Sequence, residues 1–300
     1  MKPLFIPFAL LLASFLFIAA GPKGEDLPVG AVESIAKALP EKAPAEPKQE
    51  RRILVFSKTA GFRHKSIPTG KVALTELGKK TGAYEAVVSD DLAHFEPGAI
   101  DQFDAIVFFN TTQDVFGAPK KQWEKMSPEE RSQEKAKVTR LRESLMQFIK
   151  GGKGFVGIHS ATDTFYNWSE YGEMIGGYFN GHPWNAGRQV SIKVEPGKEN
   201  HPLVAMMEGE NLDFKEEIYQ FKAPYDSSQV EMLLRLDTDK TDMTLKGIKS
   251  HDVGVSWARS WGEGRVFYCS LGHNDHIFWN EKVLAHYLAG IQWAMGDLTE

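Results

Sequence analysis

The chain has 300 residues, 42% of them hydrophobic, and a formal net charge of -5. That is ample material for a core, and nothing in the charge favours nucleic acid or an anionic membrane surface as a partner. With Cys269 as its one cysteine, the chain forms no internal disulfide, so packing alone must hold the fold.

Met1-Lys2-Pro3 opens an uncharged run that continues to Ala19-Ala20-Gly21. A basic start, an apolar stretch and small residues at its end form the pattern of a secretory signal peptide. Residues 1–20 are therefore expected to direct export, to the periplasm or outside the cell. If uncleaved, the run is just long enough for a signal anchor, the only membrane contact expected. Residues 21–50 are rich in Pro, Ala, Glu and Lys and lack aromatics, and they read as a flexible linker. One domain is expected over residues 51–300.

Within that domain, continuous apolar runs at 53–57, 84–88, 105–110 and 154–158 read as buried strands. Helical stretches separate them, one at about 68–81 and a long one ending at 141–150. This alternation predicts βαβ units and an α/β sandwich around a mostly parallel central sheet. The charged segment 119–140 reads as a solvated helical extension. Strands are expected at 189–194 and 230–236, and a hairpin is expected from 253–261 and 265–270 around Gly262-Glu263-Gly264. A last helix is expected over about 280–295. Cys269 falls inside an apolar strand and reads as a core residue.

Ligands of open parallel sheets bind at the carboxyl ends of the strands. Polar segments directly follow the first, third and fourth strands: Lys58 to Ser66 with Arg63 and His64, Asn110 to Asp114, and His159 to Asp163. Gly181-His182-Pro183-Trp184 and Gly272-His273-Asn274 add two more histidines. His159, in Gly157-Ile158-His159-Ser160-Ala161, occupies a strand-to-helix turn of the kind that presents a nucleophile, here with imidazole at its apex. Imidazole ligates metals or carries protons. Glu217 and Tyr219 share a face if their segment is extended. Glu217 is then a candidate base or ligand, and Tyr219 a candidate sugar contact. His159, Glu217 and His64 are the candidate catalytic residues. Tyr219, Trp184, Asn110 and Arg63 are candidate substrate contacts, and His159, His182 and His273 candidate metal ligands. Histidine with glutamate suits a divalent transition metal such as zinc, although no tight ligand motif such as HExxH is present, and metal-free acid–base chemistry would use the same residues. With no Walker A loop, GxGxxG or GxSxG, no nucleotide cofactor is expected.

The motifs Ser57-Lys58-Thr59-Ala60-Gly61-Phe62-Arg63-His64, Gly157-Ile158-His159-Ser160-Ala161, Gly176-Gly177 with Gly181-His182-Pro183, Glu217-Ile218-Tyr219, and Gly264-Arg265-Val266-Phe267-Tyr268 leading to Leu271-Gly272-His273 occur in this order. Together they resemble the ThuA-like, trehalose-utilisation family over about residues 51–297. The resemblance implies a flavodoxin-like fold related to class I glutamine amidotransferases. It also implies a role in disaccharide, glycoside or keto-sugar metabolism, with His64, His159, His182, Glu217, Tyr219 and His273 at the site. The amidotransferases carry cysteine at the elbow where this chain carries His159, so glutamine hydrolysis through a thiolate is not expected. Three readings fit these residues. One is a sugar-active isomerase, lyase or hydrolase. The others are a non-catalytic carbohydrate-binding module and an amidotransferase-like scaffold without activity.

Overall fold

The computed structural model describes residues 26–299; the expected leader, residues 1–20, lies outside them. Among the described residues no helix is long and apolar enough to cross a membrane.

Strands β1 (Arg52–Phe56), β2 (Glu85–Val88), β3 (Ala105–Phe109) and β4 (Gly154–Ile158) alternate with helices α2 (Ile67–Thr81) and α4 (Pro128–Lys150). The order β2-β1-β3-β4 is parallel throughout, and β11 (Gly264–Cys269) joins parallel to β4. Alternate residues feed two separate cores. Ile53 and Val55 of β1 pack on the side of α2 and α6 (Glu281–Ala294), together with Leu74, Leu77, Leu284 and Leu288. Leu54 and Phe56 pack on the other side, with Leu141 and Leu145 of α4 and Tyr171 of α5 (Ser169–Ile175). Because both faces are covered, these strands carry apolar residues at successive positions, which is why they read as continuous runs.

Beyond β11 the sheet turns antiparallel through β10 (Gly254–Trp261), β9 (Glu231–Leu236), β6 (Gln189–Val194) and β7 (Leu212–Lys215). The sheet is thus a flavodoxin-like parallel half with an antiparallel wing. A two-stranded ribbon of β5 (Tyr178–Phe179) and β8 (Phe221–Lys222) lies apart from it. The charged segment forms the short α3 (Lys120–Trp123) and the solvated first half of α4. Ser127 and Glu130 start α4 with a capping box.

Residues 26–50 depart from the loose linker expected over 21–50. They contain helix α1 (Ala31–Ala38), whose Ala31, Ile35 and Ala38 are buried, followed by buried Leu39. Apolar residues four apart give this otherwise polar segment one sticky face, and that face docks in the α2/α6 core. The remainder is latched to the chain's far end. Ala45 and Gln292 exchange two hydrogen bonds, and Arg51 grips the buried Asp297 carboxylate. Cys269 is fully buried, and burial pushes its thiol up to about 12. It is a core residue with no thiolate chemistry.

Candidate active site

The strand order reverses between β1 and β3, and the loops after β1, β4 and β11 gather at the carboxyl edge beside that switch point. Each loop delivers one histidine: His64, His159 and His273. His159 begins the turn straight after β4 with φ 52, a left-handed conformation rare for a residue with a Cβ. This is the elbow the sequence suggested, and it turns the imidazole back over the sheet edge. Gly272, at φ +137, passes so close that a Cβ there would lie 3.2 Å from the Cβ of His159. Glycine is therefore required where the third loop crosses the elbow.

His159 is fully buried and donates from Nδ1 to the Ser270 carbonyl at 2.7 Å. Since a carbonyl only accepts, the neutral ring carries its proton on Nδ1 and leaves Nε2 with a lone pair. That Nε2 lies 3.2 Å from Nε2 of His64, whose Nδ1 is 3.4 Å from Ser160 Oγ. Glu217 completes the group. Its Oε1 is 3.6 Å from His159 Nε2 and 3.2 Å from His273 Nδ1, and its Oε2 is 3.1 Å from His182 Nδ1. The His273 Nδ1 is out of line with the carboxylate and has no hydrogen-bond partner.

Electrostatics divide the histidines. Burial, and then the charge of His273 and His182, lowers His64 to about 3. Burial lowers His159 well below the ordinary range, with His64 and His273 adding to the effect. Both rings are neutral near pH 7 and carry available lone pairs. His273 moves the other way: burial opposes its charge, but Glu217 and then Glu216 raise it.

One atom from each of His64, His159, Glu217 and His273 falls within a sphere of contact in which all four lie within 4.8 Å of one another. Three imidazoles and a carboxylate match the donors of zinc and similar divalent ions. Nδ1 of His273, which makes no aligned hydrogen bond, and the facing Nε2 atoms of His64 and His159 are what such a cation would satisfy. This set contains His64 and Glu217, which the sequence reading had placed among catalytic groups. It leaves out His182, proposed there as a ligand, which instead pairs with the other oxygen of Glu217.

The substrate contacts need larger corrections. Trp184 is fully buried in the core and donates from Nε1 to the Asp242 carbonyl, so it faces no sugar. Asn110 is also fully buried, with φ 53, and its Nδ2 donates to Ser66 Oγ and the Gly272 carbonyl. It clamps the loops that carry the histidines. Tyr219 is buried with its ring 4.4 Å from that of His159 and 4.4 Å from Phe179. Glu217 and Tyr219 both reach His159, as alternation along an extended segment requires. Arg63 is exposed on the first loop and approaches the Ser57 carbonyl at 3.4 Å. His64 does not cap α2. The cap position is Ser66, whose hydroxyl donates to the Gly272 carbonyl instead.

Sequence reasoning missed Glu216. Its fully buried carboxylate accepts backbone N–H groups from Gly272, His273 and Asn274 at 3.0, 2.6 and 3.1 Å. Burial raises it to about 7 against the pull of those N–H groups. Glu216 sets the turn that carries His273. The sequence singled out Glu217 of this adjacent pair, and nothing but the apolar Ile218 nearby hinted that Glu216 is buried as well.

The family model described as "ThuA: Trehalose utilisation" matches residues 52–294. Among solved structures, a ThuA-like protein from Bacteroides uniformis is similar at 18% identity and a TM-score of 0.59, covering 84% of this chain and 94% of its own. A second, from Parabacteroides merdae, is similar at 16% identity and a TM-score of 0.56, covering 84% and 92%. No curated protein matches the chain. At these identities the solved structures speak for the fold.

Proposed function

Since the chain belongs to the ThuA, trehalose-utilisation, family, a carbohydrate-related role is its starting point, and we propose that it is a metal-dependent enzyme. Its substrate would be a disaccharide, glycoside or keto-sugar, and its reaction would move a proton at a carbon next to a carbonyl. The observation that carries this reading is the convergence of His64 Nε2, His159 Nε2, His273 Nδ1 and Glu217 Oε1. A scaffold or a passive sugar platform has no need of such a group.

His64, His159, His273 and Glu217 would hold the cation. A bound divalent ion supplies a Lewis acid that polarises a carbonyl or hydroxyl oxygen. The Ser270 carbonyl fixes the tautomer of His159, and Glu216 fixes the turn of His273, so both rings are oriented in advance. The Oε2 of Glu217 lies 3.1 Å from Nδ1 of His182, a half-exposed ring outside the ligand set, which makes His182 the proton carrier in this reading. A carbon beside a keto group is acidic enough for an imidazole base near neutral pH. The same residues would serve isomerisation, elimination or hydrolysis.

The test begins with elemental analysis of the purified chain, followed by turnover assays on disaccharides and their 3-keto forms. His273→Ala should lose the metal and the activity together. His182→Ala should keep the metal and lose turnover. A parent protein that binds no divalent ion, or a His182→Ala protein as active as the parent, would refute this assignment.

A further inference from the structure

Phe62 is the one large apolar side chain beside the histidine cluster that the protein leaves in water. Among the described residues only Val29, far away in sequence, and Phe62 are exposed large hydrophobics, and Phe62 is 63% exposed. Its ring stands edge-on to His64 at 4.8 Å between centroids and nearly parallel to His273 at 6.4 Å. Exposure grades across the cluster, from fully buried His159 to His273 and His182, whose side chains are 22% and 45% exposed. Phe62 therefore lies on the open side.

Single exposed apolar residues are common on protein surfaces, but Phe62 stands beside a polar cluster and its backbone is pinned. Ala60 donates to the Thr112 carbonyl at 2.9 Å, and Gly61 donates to Thr112 Oγ1 at 3.2 Å. The Thr112 hydroxyl in turn donates to the Phe62 carbonyl at 2.8 Å. A Cβ on Gly61 would lie 2.6 Å from Gln113 Cγ, so the two loops are in close contact. The fold thus holds a flat apolar face in water beside its polar group. A rigid aromatic platform binds without first losing freedom, and the C–H face of a pyranose is the apolar surface that suits it, leaving the hydroxyls to the histidines and the glutamate.

We infer that Phe62 is the stacking platform of this site and determines its preference for a pyranose ring. This rests on the carbohydrate reading above. The test uses the full chain with added zinc and measures binding of trehalose, maltose and methyl glucoside by calorimetry, beside zinc titration of each variant. Phe62→Ala should weaken sugar binding at least tenfold, Phe62→Trp should restore it, and all variants should bind zinc like the parent. If the parent binds a sugar and Phe62→Ala binds it equally, this inference fails while the carbohydrate reading stands. If the parent binds none of the three, this inference fails, and the carbohydrate reading is decided by the turnover assays on the 3-keto forms. If Phe62→Ala loses zinc as well, Phe62 is a support for His64 and the platform role is refuted.

Discussion

His286, buried in α6, allows a stability prediction with a definite sign. Its Nδ1 donates to the Leu203 carbonyl at 2.6 Å, and its Nε2 meets Ser256 Oγ at 2.9 Å. Burial lowers its pKa to about 4, against the smaller upward pull of the Leu203 carbonyl. An unfolded histidine titrates near 6.5. The folded state therefore favours the neutral ring, and its full contribution is present above pH 6.5. As pH falls from 6.5 towards 4 the unfolded chain takes up a proton the folded chain refuses, and stability is lost. The shift from 6.5 to about 4 corresponds to about 3 kcal/mol once both states are protonated, and about 2 kcal/mol of that is lost by pH 5. His286→Gln retains a polar group for the same partners but cannot titrate. It will be less stable than the parent at pH 7.5, through lost packing. Its disadvantage should shrink by about 2 kcal/mol at pH 5. Urea unfolding of both proteins at the two pH values, with chelator present, measures this directly. His64 and His159 titrate in both proteins and cancel in the comparison. Parallel pH profiles for parent and variant would refute the reasoning and mean that His286 is charged, or accessible to water, in the folded state.

Two further outcomes follow from packing and from the site. Ile35→Ala, in the docked amino-terminal helix, should cost about 2–3 kcal/mol and lower the melting temperature by several degrees; a melting curve identical to the parent's would restore the loose-linker view. Glu216→Ala removes the acceptor of three backbone N–H groups, each costing about 1–3 kcal/mol if left unpaired. It should weaken zinc binding through His273, with Glu216→Gln recovering part of the affinity; zinc titration and urea unfolding together read this out.

The parallel half of the sheet was legible because its strands are covered on both faces. Val55, Val107 and Val156 serve one core while Leu54, Ile106 and Phe155 serve the other, so the sequence shows uninterrupted apolar runs. The histidine loops were legible for the same reason, since polar residues that follow such runs must lie at the strand ends. Exposure was not legible. Trp184 sits in an irregular loop next to His182 and so resembled a surface aromatic, but its partner is a carbonyl 58 residues away. Phe62 passed unnoticed inside its motif, since composition does not separate a pinned exposed ring from a buried one. Residues 26–50 were misread because their composition is polar on average. Ile35 and Leu39, four apart, were the signal, and the average concealed it.

The latch between Ala45 and Gln292 joins residues 247 positions apart. Residues 26–50 are made long before their partners on α6 and at Asp297. During synthesis α1 has α2 to lean on but no α6, and Arg51 has no Asp297 to grip. Closure of this strap must wait until α6 and Asp297 have been made. The α1 helix also packs against the turn Asp275–Trp279, which directly follows the His273 loop. A nascent chain stalled before α6 would hold every residue of the histidine cluster, yet the turn beside the His273 loop would lack the closed strap that packs against it.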